Sequence, residues 1–201
     1  MKKSVLSVVI IVLFVSNLFA ADWVKVKSSQ PAPADISLIN SNISNSSVEF
    51  SLDGYWQSEV QTDQGPAWLI TMTDGARMLM KGAPDLPVFA KSLIIPNQAR
   101  MTVKVVSADY EEYENVLVAP SKGNLTRDIK PSEVPYEYGK YYDVDNFFPG
   151  ELAKLDDPYI VRDFRGQALK IQPFQYNPVT KTLRVYYNIK IQVVTDGIST
   201  Y

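Results

Sequence analysis

Residues 183–193 alternate apolar and polar side chains with a period of two, and this segment constrains the fold more than any other. Polar residues such as Arg184 and Lys190 stand between β-branched, aliphatic and aromatic ones. Successive side chains of a strand point to opposite faces, so the pattern predicts a β-strand with one buried face. The residues expected on that face are Leu183, Val185, Tyr187, Ile189, Ile191 and Val193.

Shorter segments of the same kind recur along the chain between turn residues such as Asp53-Gly54 and Gly65-Pro66. No stretch of comparable length has the period of an amphipathic helix, and the Gly- and Pro-rich segment 81–87 is expected to lack regular structure. The sequence therefore predicts an all-β fold, an antiparallel β-sandwich-like domain with little helix. The strands expected besides 183–193 are 48–52, 55–60, 68–73, 92–95, 101–105, 115–119, 159–161 and 167–171.

The N-terminus has the organisation of a secretory signal peptide. Lys2 and Lys3 precede the apolar run 5–15, and Ala20 stands at the expected cleavage point. A membrane-spanning helix needs roughly twenty apolar residues, so this run is short for an anchor, although an uncleaved anchor is the alternative. We therefore expect a signal peptide at 1–20, export to the periplasm and then to the cell surface or medium, and no membrane association after cleavage.

Composition separates the following segment from the rest of the chain. Residues 21–47 are rich in Ser, Asn, Pro and Ala, and we expect them to form a flexible leader whose order, if any, is borrowed from the domain behind it. The period-two patterns begin at Val48, so the folded domain is predicted to span 48–195.

The sequence contains no cysteine and no histidine, which limits the chemistry that it can perform. Without a thiol or an imidazole, the common nucleophilic triads and zinc sites are excluded, so we expect no enzyme activity from this chain alone and no cofactor. Asp156 and Asp157, with Asp143 and Asp145 nearby, do not have the spacing of an EF-hand loop. A solvated acidic turn is favoured there over a calcium site or a carboxylate-based hydrolase. The 20 basic residues against 22 acidic ones indicate no nucleic-acid partner.

The segment 121–135 is polar and rich in turn residues, and it carries one arginine, Arg127. An exposed arginine in a loop normally serves solubility alone. Its position between Gly123 and Pro131 allows the chain to be presented in an extended form, as a peptide substrate is. A dense aromatic group follows at 136–148, and it is interpreted either as the cap of one end of the sandwich or as a binding surface.

Four long segments resemble one known family. They read NVLVAPSKG at 115–123, YGKYY at 138–142, FFPGELAKLDDPYIVRDFRGQ at 147–167 and QYNPVTKTLRVY at 175–186. These runs are similar to the propeptide of gingipains, which are exported Arg- or Lys-specific cysteine peptidases with a caspase-like catalytic domain (peptidase family C25). The likeness extends over about 48–194.

The resemblance implies a prodomain that covers the cleft of the catalytic domain, keeps the precursor latent and assists its folding. In that family a loop after the APSKG run places a basic residue in the specificity pocket, which implies this role for Arg127, with Lys122 and Lys130 as competing residues. A pocket that selects arginine would bind a guanidinium in a bidentate pair. The remaining members of the implied inhibitory loop are Leu125, Thr126 and Asp128. The implied docking surface comprises Tyr138, Tyr141, Tyr142, Phe147 and Phe148.

Gingipains continue into a catalytic domain, so the resemblance implies that residues 196–201 begin a linker and that the chain is the front piece of a longer precursor. The catalytic domain would then be met in cis, or in trans if the prodomain stands alone. The alternative is a surface adhesion or assembly module that keeps the β-sandwich but not the latency role.

Overall fold

The computed structural model describes residues 21–198, which contain thirteen strands and two short 3-10 helices. The predicted signal peptide at 1–20 lies outside the described residues, as do residues 199–201. The helical turns are Pro131–Glu133 and Lys140–Asp143. The strands are β1 Asp22–Lys25, β2 Asp35–Ser41, β3 Asn45–Ser51, β4 Gly54–Thr62, β5 Gly65–Thr71, β6 Ala76–Arg77, β7 Pro87–Ile95, β8 Ala99–Tyr113, β9 Ala153–Leu155, β10 Tyr159–Val161, β11 Phe164–Ile171, β12 Phe174–Asn177 and β13 Thr182–Ile198.

The strands form three sheets, and every strand pair is antiparallel. In the first sheet β13 lies between β8 on one side and β12 and β3 on the other, and β2 lies beyond β3. In the second sheet β11 lies between β7 and the short strands β9 and β10, and β6 pairs with the other edge of β7. The third sheet has the order β1-β4-β5. The predicted all-β antiparallel fold with little helix is confirmed.

The strand predicted from the alternation at 183–193 is the central strand β13. Leu183, Val185, Ile189, Ile191 and Val193 are all buried, as the pattern predicts. The exception is Tyr187, which is half-buried, while its neighbour Tyr186 is only 6% exposed. The register of the pairing with β8 shifts between Tyr186 and Asn188, so β13 has one extra residue there. As a result Tyr186, rather than Tyr187, lies on the buried face.

One cluster of buried side chains connects the three sheets. Tyr55 of β4 meets Phe174 of β12 edge to face with ring centroids 5.4 Å apart, and Phe50 of β3 lies 5.6 Å from Phe89 of β7. Aromatic pairs of this geometry contribute about 0.5–1.5 kcal/mol each beyond the burial of their surface. The core therefore fixes how the sheets, and the loops between them, are oriented.

The segment expected to be a flexible leader, residues 21–47, contains β1 and β2, and both strands are ordered by pairing with the domain, on β4 and β3. Trp23 of β1 pairs with Trp56 of β4, and their rings meet edge to face at 5.2 Å. Gly54 makes this approach feasible, since a Cβ there would lie 2.4 Å from the Trp23 ring. Val24 and Ile36 pack against the core cluster. These apolar residues are dispersed among Ser, Asn and Pro, so the composition conceals them.

Two further expectations concern segments that flank the loop at 121–135. The predicted strand at 115–119 is not formed, and Val118 makes only an isolated bridge with Trp68. Segment 81–87 contains no strand before Pro87, as its Gly and Pro content predicts.

At the other end of the chain, β13 continues to Ile198, through the first residues of the expected linker. Within residues 21–198 there is no helix with the length and apolarity needed to cross a membrane.

Candidate functional site

The loop that carries Arg127 begins at a short backbone ladder. The Ser121 N–H donates to the Ala83 carbonyl at 2.7 Å, and the Gly82 N–H donates to the Ser121 carbonyl at 2.9 Å. One step earlier, the Asp85 N–H donates to the Ala119 carbonyl at 2.9 Å. The irregular segment 81–85 therefore holds the chain at the point where the loop leaves the domain.

The same segment also holds the end of the loop. The Gly139 N–H donates to the Gly82 carbonyl at 2.9 Å, so Gly82 bonds to both ends of the loop, at Ser121 and at Gly139. Gly82 has a left-handed backbone, with φ +75°, which favours glycine. A Cβ on Gly139 would lie 2.9 Å from the Gly82 carbonyl oxygen, and a Cβ on Gly82 would lie 3.0 Å from the Gly139 Cα. Both glycines are therefore needed for this contact, which we call the glycine clamp.

Arg127 lies at the exposed tip of the clamped loop. The Ile129 N–H donates to the Thr126 carbonyl at 3.1 Å and closes a turn around it. Asp128 follows Arg127, and a hydrogen bond from the Thr126 side chain lowers the pKa of its carboxyl group. Among residues 21–198, none forms an ion pair or a hydrogen bond with the Arg127 side chain in this structure. The guanidinium is free to reach outward.

The two competing lysines are already engaged. The Lys122 ammonium donates to the Pro131 carbonyl at 2.7 Å and lies 4.0 Å from the centre of the Tyr136 ring. Burial and the nearby Arg77 both lower the pKa of Lys122, with burial the larger cause. The Lys130 ammonium is 3.0 Å from a Glu133 carboxylate oxygen.

Beneath the loop lies a cavity of about 300 Å³. The half-buried Leu125 lines it, together with Leu69 and Leu79. In its wall, Arg77 pairs with the buried Asp85 at 2.9 Å. Burial raises the pKa of Asp85, and the Arg77 guanidinium opposes that shift. Leu125, a member of the implied inhibitory loop, thus packs towards its own domain.

The first part of the predicted docking surface packs inward. The Tyr138 ring meets Tyr142 edge to face at 4.6 Å, and its hydroxyl lies 2.9 Å from the Thr62 hydroxyl. The Tyr142 hydroxyl donates to the Val118 carbonyl at 2.8 Å, and burial raises the pKa of Tyr142 strongly. These contacts brace the chain on both sides of Gly139.

The second part is also half-buried. Tyr141 packs on Phe148 at 5.1 Å, and Phe148 exchanges two backbone hydrogen bonds with Tyr176, at 2.9 and 2.8 Å. The Arg184 guanidinium covers the Phe147 ring at 3.7 Å. The five predicted docking residues therefore share their surface between the domain and solvent, and their role in docking stays a prediction.

The acidic residues near 143–157 make separate contacts. The Asp156 carboxylate pairs with Lys170 at 2.6 Å, and Asp145 accepts a hydrogen bond from Asn177 at 2.8 Å. In the part of the chain that the structure describes, no three acidic residues come together as a metal site.

Sequence reasoning missed the glycine clamp and the contacts of Lys122. The glycines are visible in Lys81-Gly82-Ala83 and Tyr138-Gly139-Lys140, but nothing in either segment says that it meets the other. The Pro-rich surroundings of Gly82 predict that it lies in a loop, but they do not predict its left-handed backbone.

Together these features define an all-β module that presents a basic loop from a rigid base. The family model of C25 propeptides (Propeptide_C25) matches residues 27–200. The chain belongs to the C25 propeptide family.

Three known proteins illustrate the relationship. Gingipain R2 of Porphyromonas gingivalis is 42% identical over 193 residues, which cover 96% of this chain and 26% of that protein. Lys-gingipain of the same organism is 25% identical over 164 residues, which cover 79% of this chain and 10% of that protein. The complex of RgpB pro- and mature domains, also from P. gingivalis, has a similar fold with a TM-score of 0.78 and 44% identity, covering 81% of this chain and 85% of that one. The chain thus spans about a quarter of gingipain R2 and a tenth of Lys-gingipain.

Proposed function

We propose that this chain is the N-terminal propeptide of an exported, gingipain-like cysteine endopeptidase and keeps the catalytic domain latent by occupying its cleft as a substrate would. Arg127 enters the specificity pocket, and Leu125, Thr126 and Asp128 form the adjoining segment. The domain also assists folding of its peptidase, and export proceeds through the signal peptide at 1–20.

One observation carries the proposal: the Arg127 guanidinium has no partner among residues 21–198, although it extends from a loop that is fixed at both ends. A free side chain on an ordered base binds at a lower entropic cost than one on a disordered segment. Lys122 and Lys130 would each have to leave an existing partner before entering a pocket. The higher identity to gingipain R2 than to Lys-gingipain supports an Arg-specific partner as well.

The pocket chemistry follows from the guanidinium. A permanently charged, planar group forms two parallel hydrogen bonds with a carboxylate, and such charge-assisted bonds are stronger than neutral ones. In the precursor the loop would be tethered, so that it meets the cleft at an effective concentration of about millimolar. In trans the same contact would bear the full cost of association.

In this proposal the aromatic residues of the predicted docking surface mainly support the loop, and only their exposed parts are available for contact with the peptidase. Tyr138 and Tyr142 hold the chain next to Gly139, and Phe147 and Phe148 are fixed by Arg184 and Tyr176. Their exposed parts would contact the peptidase beside the cleft, in fixed orientations.

The test is a titration of the purified chain against an Arg-specific C25 peptidase, with the wild type beside Arg127→Ala. Truncation would leave an acidic pocket buried and unpaired, which typically costs 3–5 kcal/mol, so the inhibition constant should rise about 10²- to 10⁴-fold. Arg162→Ala is the matched control, because Arg162 is also exposed but lies in the turn between β10 and β11. This control should inhibit like the wild type.

Two results would count against the proposal. Equal potency of wild type and Arg127→Ala would exclude Arg127 as the pocket residue. The absence of inhibition by either protein would remove the inhibitory role from the chain itself and favour the adhesion or assembly module.

A further inference from the structure

Lys122 connects the two limbs of the loop. It lies on the outgoing limb, residues 121–126, and both of its contacts lie on the returning limb, residues 128–139. Its ammonium group donates to the Pro131 carbonyl at 2.7 Å and lies 4.0 Å from the centre of the Tyr136 ring. The hydrogen bond joins residues nine positions apart, 122 and 131, and Arg127 lies between them.

The backbone around Lys122 is fixed, so that its side chain starts from a defined point. Ser121 is held by Ala83 at 2.7 Å, and the Gly123 N–H donates to the Ser121 hydroxyl at 3.2 Å. Gly123 has φ +82°, and a Cβ there would lie 3.0 Å from the Lys81 Cβ. The chain can therefore turn sharply after Lys122 without releasing its base.

We propose that Lys122 is a positioning residue, which ties the two limbs together and thereby holds Arg127 in its binding-competent position. This inference rests on the proposed function, since it assigns a role within the same inhibitory loop. It also replaces the earlier expectation that Lys122 competes with Arg127 for the pocket.

The tie adds to the glycine clamp. The clamp joins Ser121 and Gly139 through Gly82, whereas the tie closes a loop of about half that length around the tip. Halving a flexible loop raises the probability that its ends meet by about threefold. The shorter loop is therefore easier to close, and the charge-assisted hydrogen bond and the cation–π contact hold it closed. Losing both contacts should lower the binding-competent population about tenfold.

A lysine suits this position because it has three donors on a flexible stem. One N–H is used by the Pro131 carbonyl, and the ammonium charge faces the Tyr136 ring. Methionine would keep much of the apolar stem but would lose both the donor and the charge. Arginine would keep both, in a different geometry.

The experiment measures the association and dissociation rates of the purified chain with an Arg-specific C25 peptidase. Lys122→Met should lower the association rate about tenfold and leave the dissociation rate within about twofold, because the affinity falls with the fraction of chains in the competent state. Lys122→Arg should recover most of the rate. Lys27→Met is the matched control, because the Lys27 ammonium also lies over a tyrosine ring, 5.1 Å from the centre of Tyr187, but outside the loop at 121–135, and its rates should match the wild type.

Hydrogen exchange of the free chain tests the tie without any peptidase. The Ile129 amide, which donates to Thr126 inside the tied segment, should exchange about tenfold faster in Lys122→Met, while amides of β13 should be unchanged.

The outcomes separate the two ideas. An increased dissociation rate for Lys122→Met would show a direct contact with the peptidase and overturn the positioning role. Unchanged rates and unchanged exchange would overturn it as well. If Arg127→Ala inhibits as well as the wild type, the proposed function fails, whereas faster exchange at Ile129 would still support the tie.

Discussion

Substitution of Gly139 by alanine tests the glycine clamp with a single methyl group. Gly139 has φ −97° and ψ −179°, an extended backbone that alanine adopts readily, so the change introduces no strain of its own. The new Cβ would lie 2.9 Å from the Gly82 carbonyl oxygen, and 3.1 and 3.2 Å from the Gly82 Cα and carbonyl carbon. All three neighbours are backbone atoms, which cannot rotate away as the end of a side chain could.

The magnitude follows from two contributions. Overpacking against rigid atoms typically costs 1–3 kcal/mol. The hydrogen bond from the Gly139 N–H to Gly82, now 2.9 Å long, would be lengthened or broken, at a further cost of about 1 kcal/mol. Gly139→Ala should therefore lower the free energy of unfolding by about 2–4 kcal/mol, measured by urea denaturation with an unchanged m-value. The inhibition of an Arg-specific C25 peptidase should weaken in the same variant, because the returning limb loses its anchor.

Gly150→Ala is the matched control. A Cβ at Gly150 would meet no atom within 4 Å, and its φ lies outside the left-handed range. The reduced freedom of the unfolded chain should then leave the stability unchanged or raise it by about 0.4–1 kcal/mol. If Gly139→Ala lowered the free energy of unfolding by less than about 0.5 kcal/mol, it would behave like the control, and the clamp would be refuted as a determinant of the fold.

Two further predictions concern the leader and the core. Gly54→Ala places a Cβ 2.4 Å from the Trp23 ring and 2.5 Å from the Val24 carbonyl oxygen, so β1 should detach from β4. We expect a loss of at least about 1–3 kcal/mol and faster tryptic cleavage at Lys25; unchanged cleavage would mean that β1 does not depend on this contact. Burial raises the pKa of Tyr176 to about 12, above its unfolded value of about 10. The contribution of the neutral Tyr176 side chain to the free energy of unfolding is therefore complete below pH 10. It falls by about 1.4 kcal/mol per pH unit as the pH rises from 10 towards 12. Urea denaturation between pH 9 and pH 12 should show a correspondingly shallower decline in Tyr176→Phe, and parallel curves would contradict this.

The fold was predictable where a long strand alternates buried apolar and exposed polar residues, whereas the short β9 and the fully buried β12 carry no such alternation and were not predicted. The alternation at 183–193 identified β13 because each step of two residues returns to the core. Its failure at Tyr187 has a physical cause, since one extra residue in the pairing with β8 exchanges the faces locally. The extra residue is a feature of the pairing between β13 and β8, so the period-two pattern of β13 alone did not predict it.

The leader shows the converse limit. Neither the Ser- and Asn-rich composition of 21–47 nor its short apolar stretches predict a strand alone. β1 and β2 are formed because β4 and β3 offer edges on which their backbone groups can pair. At 115–119 the opposite occurs: an apolar segment that reads as a strand makes only an isolated bridge, at Val118.

For the candidate site, turn chemistry located the loop and the resemblance singled out Arg127. What the sequence left open was the choice among three basic residues within nine positions. Contacts settle how each is engaged: Lys122 and Lys130 have partners in the structure, and Arg127 has none among residues 21–198. Those contacts cross between limbs of the loop, so they become visible only once the chain is folded.

The most direct test of the central claim is the selectivity of the chain and of Arg127→Lys, each titrated against an Arg-specific and a Lys-specific C25 peptidase. A lysine cannot reproduce the bidentate pair of a guanidinium, and a pocket that selects lysine should prefer the ammonium. The account predicts that the wild type inhibits the Arg-specific enzyme more strongly and that the substitution lowers this preference at least about tenfold. A preference that is the same for both proteins would contradict it.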